Sequence, residues 1–224
     1  MAAVTLRTLT DGVHVAEAHQ RFVGLEVGAR MTVLDTPAGR LVHSPIAGSV
    51  SAVEATGAPA WVLAPNLLHH LYAGPWADAG YPVWAAPGLV EKRPDVAFAG
   101  VVEAGTRPFG PDIEVLPLTC LPMTNEVVVL HRPSRTLVVT DLVFHFTAAA
   151  PFATRVAMRA LGGYPGCRTT VLERVAIRRD AARDELGRIA AWDFDRLIMA
   201  HGAIIETGAR ERFVDAFRWL GIDV

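Results

Sequence analysis

The sequence predicts an α/β protein built as a four-layer αββα sandwich. Two observations carry this: strand-like apolar runs fall into two blocks of mostly antiparallel character, and each block gives way to stretches with helical periodicity. A third is size. With 224 residues, 51% of them hydrophobic, the chain lies within the range of one domain, residues 1–224, that can bury a large core.

Residues 13–16, 31–35 and 40–43 read as short strands. Gly24 and Gly28, then Pro37-Ala-Gly39, supply the turn chemistry that makes them an antiparallel meander. A helix is expected from Ser49, whose hydroxyl can cap free amides, to about Ala55, with Gly57 and Pro59 stopping it. Strands return at residues 61–64 and 83–86, and residues 67–78 between them read as a loop and a short helix ended by Gly80 and Tyr81-Pro82. This is a β-α-β unit. Residues 88–112, rich in Gly, Pro and charge, read as an irregular excursion. The second meander comprises residues 113–116, 126–131 and 136–140, with Arg132-Pro133-Ser134 as its turn because Pro fixes φ. Helices are expected at 152–161, ended by Gly162-Gly163, at 179–191, and at 209–220, where Phe213, Phe217 and Leu220 recur at helical spacing. There is no short repeat, low-complexity segment or linker.

Composition excludes several function classes. Lys plus Arg total 21 against 23 for Asp plus Glu, so the chain has no electrostatic footprint for nucleic acid or an anionic membrane, and a small-molecule or protein partner is expected, a small-molecule substrate first. Cys120 and Cys167 form no C-x-x-C pair and are expected as small buried hydrophobes. Residues 1–10 lack the basic start and apolar segment of a secretory signal, and no run of roughly 20 uncharged apolar residues could cross a bilayer. A cytoplasmic location follows by default, and the oligomeric state stays open.

The chemistry is concentrated where strands end. The run Trp61-Val-Leu-Ala64 leads into Asn66-Leu-Leu-His69-His70, the run 136–140 ends at Asp141, and the run starting at Leu197 ends at His201-Gly202. A sheet that brings three strand ends together would converge these groups, and ligands of open α/β sheets bind at such ends.

Strand, ligand and turn recur in an order that resembles the metallo-β-lactamase-fold superfamily, whose chains carry His-x-His-x-Asp-His after one strand, a later His, a strand-end Asp and a final His-Gly. The resemblance is closer to its DUF4336 branch. The phrases that carry it are Arg30-Met-Thr-Val33, Leu41-Val-His43-Ser44-Pro45, Ala64-Pro-Asn-Leu-Leu-His-His70, Ala86-Pro-Gly88, Lys92-Arg-Pro94, Asn125-Glu126, His131-Arg-Pro-Ser-Arg-Thr-Leu137, Thr140-Asp-Leu142, Trp192-Asp-Phe-Asp195 and Ala200-His-Gly202. They span nearly the whole chain.

The resemblance implies a depleted metal site. Aligning His70 with the last His of His-x-His-x-Asp-His puts Pro65 and Leu67 where two ligands would be, and residues 121–124 hold no later His, so the first of the superfamily's two metals has no ligands. The second set is implied as His69, His70, Asp141 and His201. Three imidazoles and one carboxylate suit one divalent transition metal, Zn or Fe among the candidates. Four bound ligands would close a tetrahedral zinc. With one His swung away, a 2-His-1-carboxylate set would remain, the pattern of non-haem iron. The alternative is that His69 and His70 are surface or hydrogen-bonded groups, Asp141 a turn cap and His201 bonded to a carbonyl.

On the metal reading the chain is a hydrolase of a small ester, thioester or lactone-like bond acting through a metal-bound water, with His69 a fourth ligand or the proton shuttle. A mononuclear iron oxidoreductase on the same ligands and a non-catalytic binding module are the other readings. Among nearby groups, His43-Ser44 could support the site or be a His satisfied by backbone. Glu126 could orient a ligand imidazole or be a solvated strand-edge carboxylate. His131, Arg132 and Arg135 are expected to stabilise their hairpin, Asp193 and Asp195 to face solvent, and residues 162–166 to be a flexible connection.

Overall fold

The computed structural model describes residues 4–221; the ends of the 1–224 span, including the first three residues of the stretch read for a secretory signal, lie outside the described residues. The first half of the chain runs β1 (Arg7–Thr10), β2 (Val13–Ala18), β3 (Arg21–Phe22), β4 (Leu25–Glu26), β5 (Ala29–Thr36), β6 (Gly39–His43), α1 (Ser49–Glu54), β7 (Trp61–Ala64), α2 (Ala73–Asp78), β8 (Val83–Ala85), α3 (Leu89–Lys92) and β9 (Phe98–Val101). The second continues with β10 (Ile113–Pro117), β11 (Val127–His131), β12 (Thr136–Val138), β13 (Phe144–Phe146), α4 (Phe152–Ala160), β14 (Gly166–Arg168), α5 (Val171–Ala176), α6 (Arg179–Ala190), β15 (Arg196–Ile198) and α7 (Ala209–Phe217).

The first half forms a seven-stranded sheet in the order β1-β2-β5-β6-β7-β8-β9, antiparallel as far as β6 and parallel from there. Parallel neighbours need a crossover, and α1, α2 and α3 provide the three. The second half forms a four-stranded sheet, β10-β11-β12-β15, whose last pair is parallel.

Two-residue periodicity explains the layering. On β11, Val127 and Val129 join Val138 and Ile198 in the core shared with the large sheet and with Val53, Trp76 and Leu89 of α1 to α3. The alternate residues Val128 and Leu130 join Leu137 and Leu197 against Leu186 and Ile189 of α6 and Phe213 and Phe217 of α7. Each strand of the smaller sheet thus has one face against the other sheet and one against helices, the αββα order.

Some expectations are corrected. Ser49 does not cap α1: Gly48 does, at φ 69, and the Ser49 hydroxyl donates to the Ile46 carbonyl at 2.7 Å. The excursion at 88–112 contains α3 and the edge strand β9, whose Gly100 lies against the Trp84 ring, where a Cβ would approach to 2.7 Å. The run starting at Leu197 forms β15 at the edge of the smaller sheet, and among the described residues its free side is met by a bridge between Leu197 and Ile205. Helix α5 is held by a reciprocal cap of Thr170 and Glu173, a signature the sequence carries and the expectation missed. Asp195 does not simply face solvent, since it accepts from the Gly208 amide at 2.7 Å at the start of α7. His131 does brace its hairpin through Ser134 at 2.7 Å, and it also reaches the Asp35 carbonyl across the sandwich at 3.0 Å.

Candidate metal centre

Three strand ends deliver the site. Beyond β7, the buried Asn66 side chain folds the loop back on itself: its carbonyl accepts from the amides of Leu68 (2.8 Å) and His69 (2.7 Å), the side-chain-to-backbone pattern that makes Asn a turn former. Its amide group donates to Thr140 Oγ1 (2.8 Å) and Asp141 Oδ2 (2.7 Å), tying the loop after β7 to the one after β12. Asn66 belongs to the motif quoted above but had been given no role.

Beyond β12, Glu126 fixes the backbone. Its carboxylate, with no exposed surface, accepts from the amides of Thr140 (2.6 Å) and Asp141 (2.8 Å), so neither earlier reading of Glu126 holds: it touches no imidazole and meets no solvent. Burial, with the Asp141 charge adding to it, pushes Glu126 up to about 7. Beyond β15, the His201 Nδ1–H donates to the Gly28 carbonyl at 2.6 Å. Gly202 at φ 90 lies so close to the His145 carbonyl that a Cβ would approach its oxygen to 2.4 Å, which explains the glycine. Arg30, 8% exposed, donates to the Met199 and Gly202 carbonyls and so brackets His201 from both sides.

These supports aim three donors at one point. His69 Nε2 and His201 Nε2 are 3.2 Å apart, His69 Nε2 is 3.3 Å from Asp141 Oδ2, and His201 Nε2 is 3.4 Å from Asp141 Oδ1. Among the described residues these three are the set whose donor atoms come together as a metal would need. Because the Gly28 carbonyl can only accept, neutral His201 carries its proton on Nδ1 and turns a lone pair toward the other two donors. Two imidazole nitrogens and a carboxylate are a donor set that suits a divalent transition metal.

Charge is distributed accordingly. Burial opposes ionisation of Asp141, but His69 and His201 outweigh it and hold the carboxyl well below the usual carboxylate range. Burial likewise works against a charged His201, and Asp141 with the Gly28 carbonyl reverses that and raises it.

His70 is not brought to this point. An adjacent residue in so tight a turn projects the other way, and His70 Nδ1 accepts from Arg93 at 2.9 Å while the same guanidinium donates to the His70 carbonyl at 3.1 Å. Lys92 donates to the Leu67 carbonyl, so both cations hold the loop from its far side. Burial, then Lys92 and Arg93, lower the His70 pKa. Ser44 lies against the cluster, its hydroxyl 2.9 Å from His69 Nδ1. His43 is buried, but its Nε2 has no hydrogen-bond partner, so it is not the backbone-satisfied His of the alternative reading; burial, then His69, push it down to about 3. A cleft of about 650 Å³ borders Gly28, Arg30 and Gly202, and neither His69, Asp141 nor His201 lines it.

No protein-family model and no curated protein matches the chain. Solved structures do match along nearly its full length. The metallo-beta-lactamase FIM-1 from Pseudomonas aeruginosa, in its mono-zinc form, is 12% identical with a TM-score of 0.66, covering 99% of this chain and 98% of that one. The metallo-beta-lactamase from Pontibacter korlensis is 11% identical with a TM-score of 0.65, covering 96% and 99%. One from Erythrobacter litoralis is 12% identical with a TM-score of 0.67, covering 98% of each chain. The chain therefore has the metallo-β-lactamase fold, a mixed α/β sandwich. Among the described residues no helix is long and apolar enough to cross a membrane.

Proposed function

We propose that the chain is a divergent, DUF4336-like member of the metallo-β-lactamase superfamily that acts as a mononuclear zinc hydrolase on a small ester, thioester or lactone-like substrate. The motif series supports the branch. The single observation that carries the function is the convergence of His69 Nε2, His201 Nε2 and the Asp141 carboxylate, the two nitrogens 3.2 Å apart and each within 3.4 Å of a carboxylate oxygen. With His70 turned away, His69, Asp141 and His201 would hold the ion, His69 as a ligand and not as a shuttle. A divalent ion held there would polarise a carbonyl and acidify water.

The chain's own residues do the rest. Gly28 fixes the tautomer of His201, Ser44 holds the outer nitrogen of His69, Asn66 and Glu126 hold Asp141, and Arg30 fixes the backbone around His201. The test is a panel of small esters, thioesters and lactones. Turnover that chelator removes and zinc restores is the expected result, and turnover indifferent to chelator contradicts it.

One observation favours a second reading. Two imidazoles and one carboxylate are also the ligand set of non-haem Fe(II) oxygenases, so iron in the isolated protein would move the assignment to a mononuclear oxidoreductase. A chain that holds no metal would leave the binding-module reading.

A further inference from the structure

We propose that the cleft between β14, α5 and α7 binds a small phosphate monoester through Arg168, Arg174 and Arg212, at a site separate from the metal centre. The cleft holds about 380 Å³, the small end of the range for ligand sites, and none of His69, Asp141 and His201 lines it. Its wall comes from three elements. Helix α7 packs against β14 and lays Arg212, Asp215 and Ala216 along the cleft at helical spacing, with Trp219 one turn further on. Strand β14 and the loop before it add Pro165, Gly166, Cys167 and Arg168, and α5 adds Arg174. The balanced charge of the whole chain conceals this wall. Between Phe152 and Arg179 the sequence carries Arg155, Arg159, Arg168, Arg174, Arg178 and Arg179 against one carboxylate, Glu173, and that carboxylate is committed to the Thr170 cap.

The arginines are placed as donors to an anion and not as ion-pair partners. Arg168 donates its Nε–H to the Pro165 carbonyl at 2.8 Å and Arg174 donates its Nε–H to the Thr169 hydroxyl at 3.1 Å, so both are held at the base of the guanidinium and keep their terminal N–H groups for a ligand. Arg174 is restrained a second time, 5.6 Å from the centre of the Trp219 ring in a cation–π contact. Among the described residues Arg212 makes no side-chain hydrogen bond, and none of the three has a carboxylate partner. Asp215, the acid of the wall, accepts instead from Arg218 at 2.5 Å. Three like charges round one cavity repel one another, and an anion between them removes that cost. A guanidinium fork matches an oxyanion bidentately, and three forks exceed what the two oxygens of a carboxylate can accept. The three terminal oxygens of a phosphate monoester match them. Because Arg168 and Arg174 are restrained before the ligand arrives, less ordering is lost on binding.

The inference does not rest on the zinc reading, so the full chain is stripped with chelator and desalted, which keeps phosphate off the metal centre. It is then titrated with inorganic phosphate and with phenyl phosphate at constant ionic strength, and binding is read by calorimetry and phosphorus NMR line broadening. The expected result is saturable one-to-one binding of both, with a Kd for phenyl phosphate below about 1 mM. That affinity should fall at least about 10-fold in Arg174→Gln and in Arg212→Gln, and stay unchanged in Arg188→Gln, whose side chain is exposed on α6 outside the cleft. Non-saturable binding, equal affinity in Arg212→Gln and the parent, or the same loss in Arg188→Gln overturns the proposal. So does a phosphoserine peptide bound more tightly than phenyl phosphate, which would move the ligand to a partner protein. Arg212→Gln carries the test if Arg174→Gln, which loses the Thr169 and Trp219 contacts, fails to melt cooperatively.

Discussion

Glu126→Ala removes the acceptor for two buried amides, those of Thr140 and Asp141, at 2.6 and 2.8 Å. A buried donor left without a partner costs about 1–3 kcal/mol, so two cost about 2–6 kcal/mol. Removing a carboxylate that is itself costly to bury returns part of this, and the net loss should be about 2–4 kcal/mol. For a chain of this size each kcal/mol lowers the melting temperature by roughly 2–4 °C, so the variant should melt about 5–15 °C below the parent. Glu126→Gln, which keeps one carbonyl oxygen, should lose about half as much. Because the same amides place Asp141, zinc affinity should fall about 10- to 100-fold in Glu126→Ala. Calorimetric melting and zinc titration read both effects. A Glu126→Ala chain that melts within about 1 °C of the parent and binds zinc equally would refute the role assigned to this carboxylate.

Asp141→Ala and His201→Ala should each abolish zinc retention, as should His69→Ala, whereas His70→Ala should retain it and lose only about 1–2 kcal/mol from the Arg93 contact, as titration and melting of the four variants would show. Gly202→Ala should destabilise the fold by more than about 2 kcal/mol and weaken zinc binding, because its Cβ would fall 2.4 Å from the His145 oxygen at a positive φ; a parent-like melt and zinc affinity would contradict the close approach. Asp35 is partly buried, which opposes ionisation, but Arg40 and His14 outweigh that and lower its pKa. A lowered folded-state pKa means stability present above the ordinary carboxylate range and lost as pH falls through the folded value. The gap in melting temperature between parent and Asp35→Asn should therefore narrow below about pH 4, and a gap independent of pH would speak against it.

Much of the fold was legible because the signals were local. The unbroken apolar run Val127–Leu130 on β11, glycine turns in the first meander and helical spacing of Phe213 and Phe217 each act over a few residues. What was not legible depended on packing or direction. Nothing local says that β15 is an edge strand, or that Gly100 closes on Trp84 to make β9. At the site, residue types at strand ends pointed to Asp141 and His201, while the choice between His69 and His70 is a matter of which way a tight turn sends adjacent side chains. Asn66 decides it: its carbonyl makes a local turn by accepting from the Leu68 and His69 amides, but what aims that turn is its amide's grip on Thr140 and Asp141, which is tertiary. Arg30 was hidden for the same reason: its partners, Met199 and Gly202, lie at the other end of the chain. The Thr170-x-x-Glu173 cap and the Asp11-Gly12 turn between β1 and β2 were readable local signals left unread.

The account turns on whether the three converging donors hold a metal. Elemental analysis of the full chain purified without chelator, beside Asp141→Ala prepared identically, addresses this most directly. The account predicts one zinc per parent chain and none in the variant; a parent chain without metal, or equal metal in both, would contradict it.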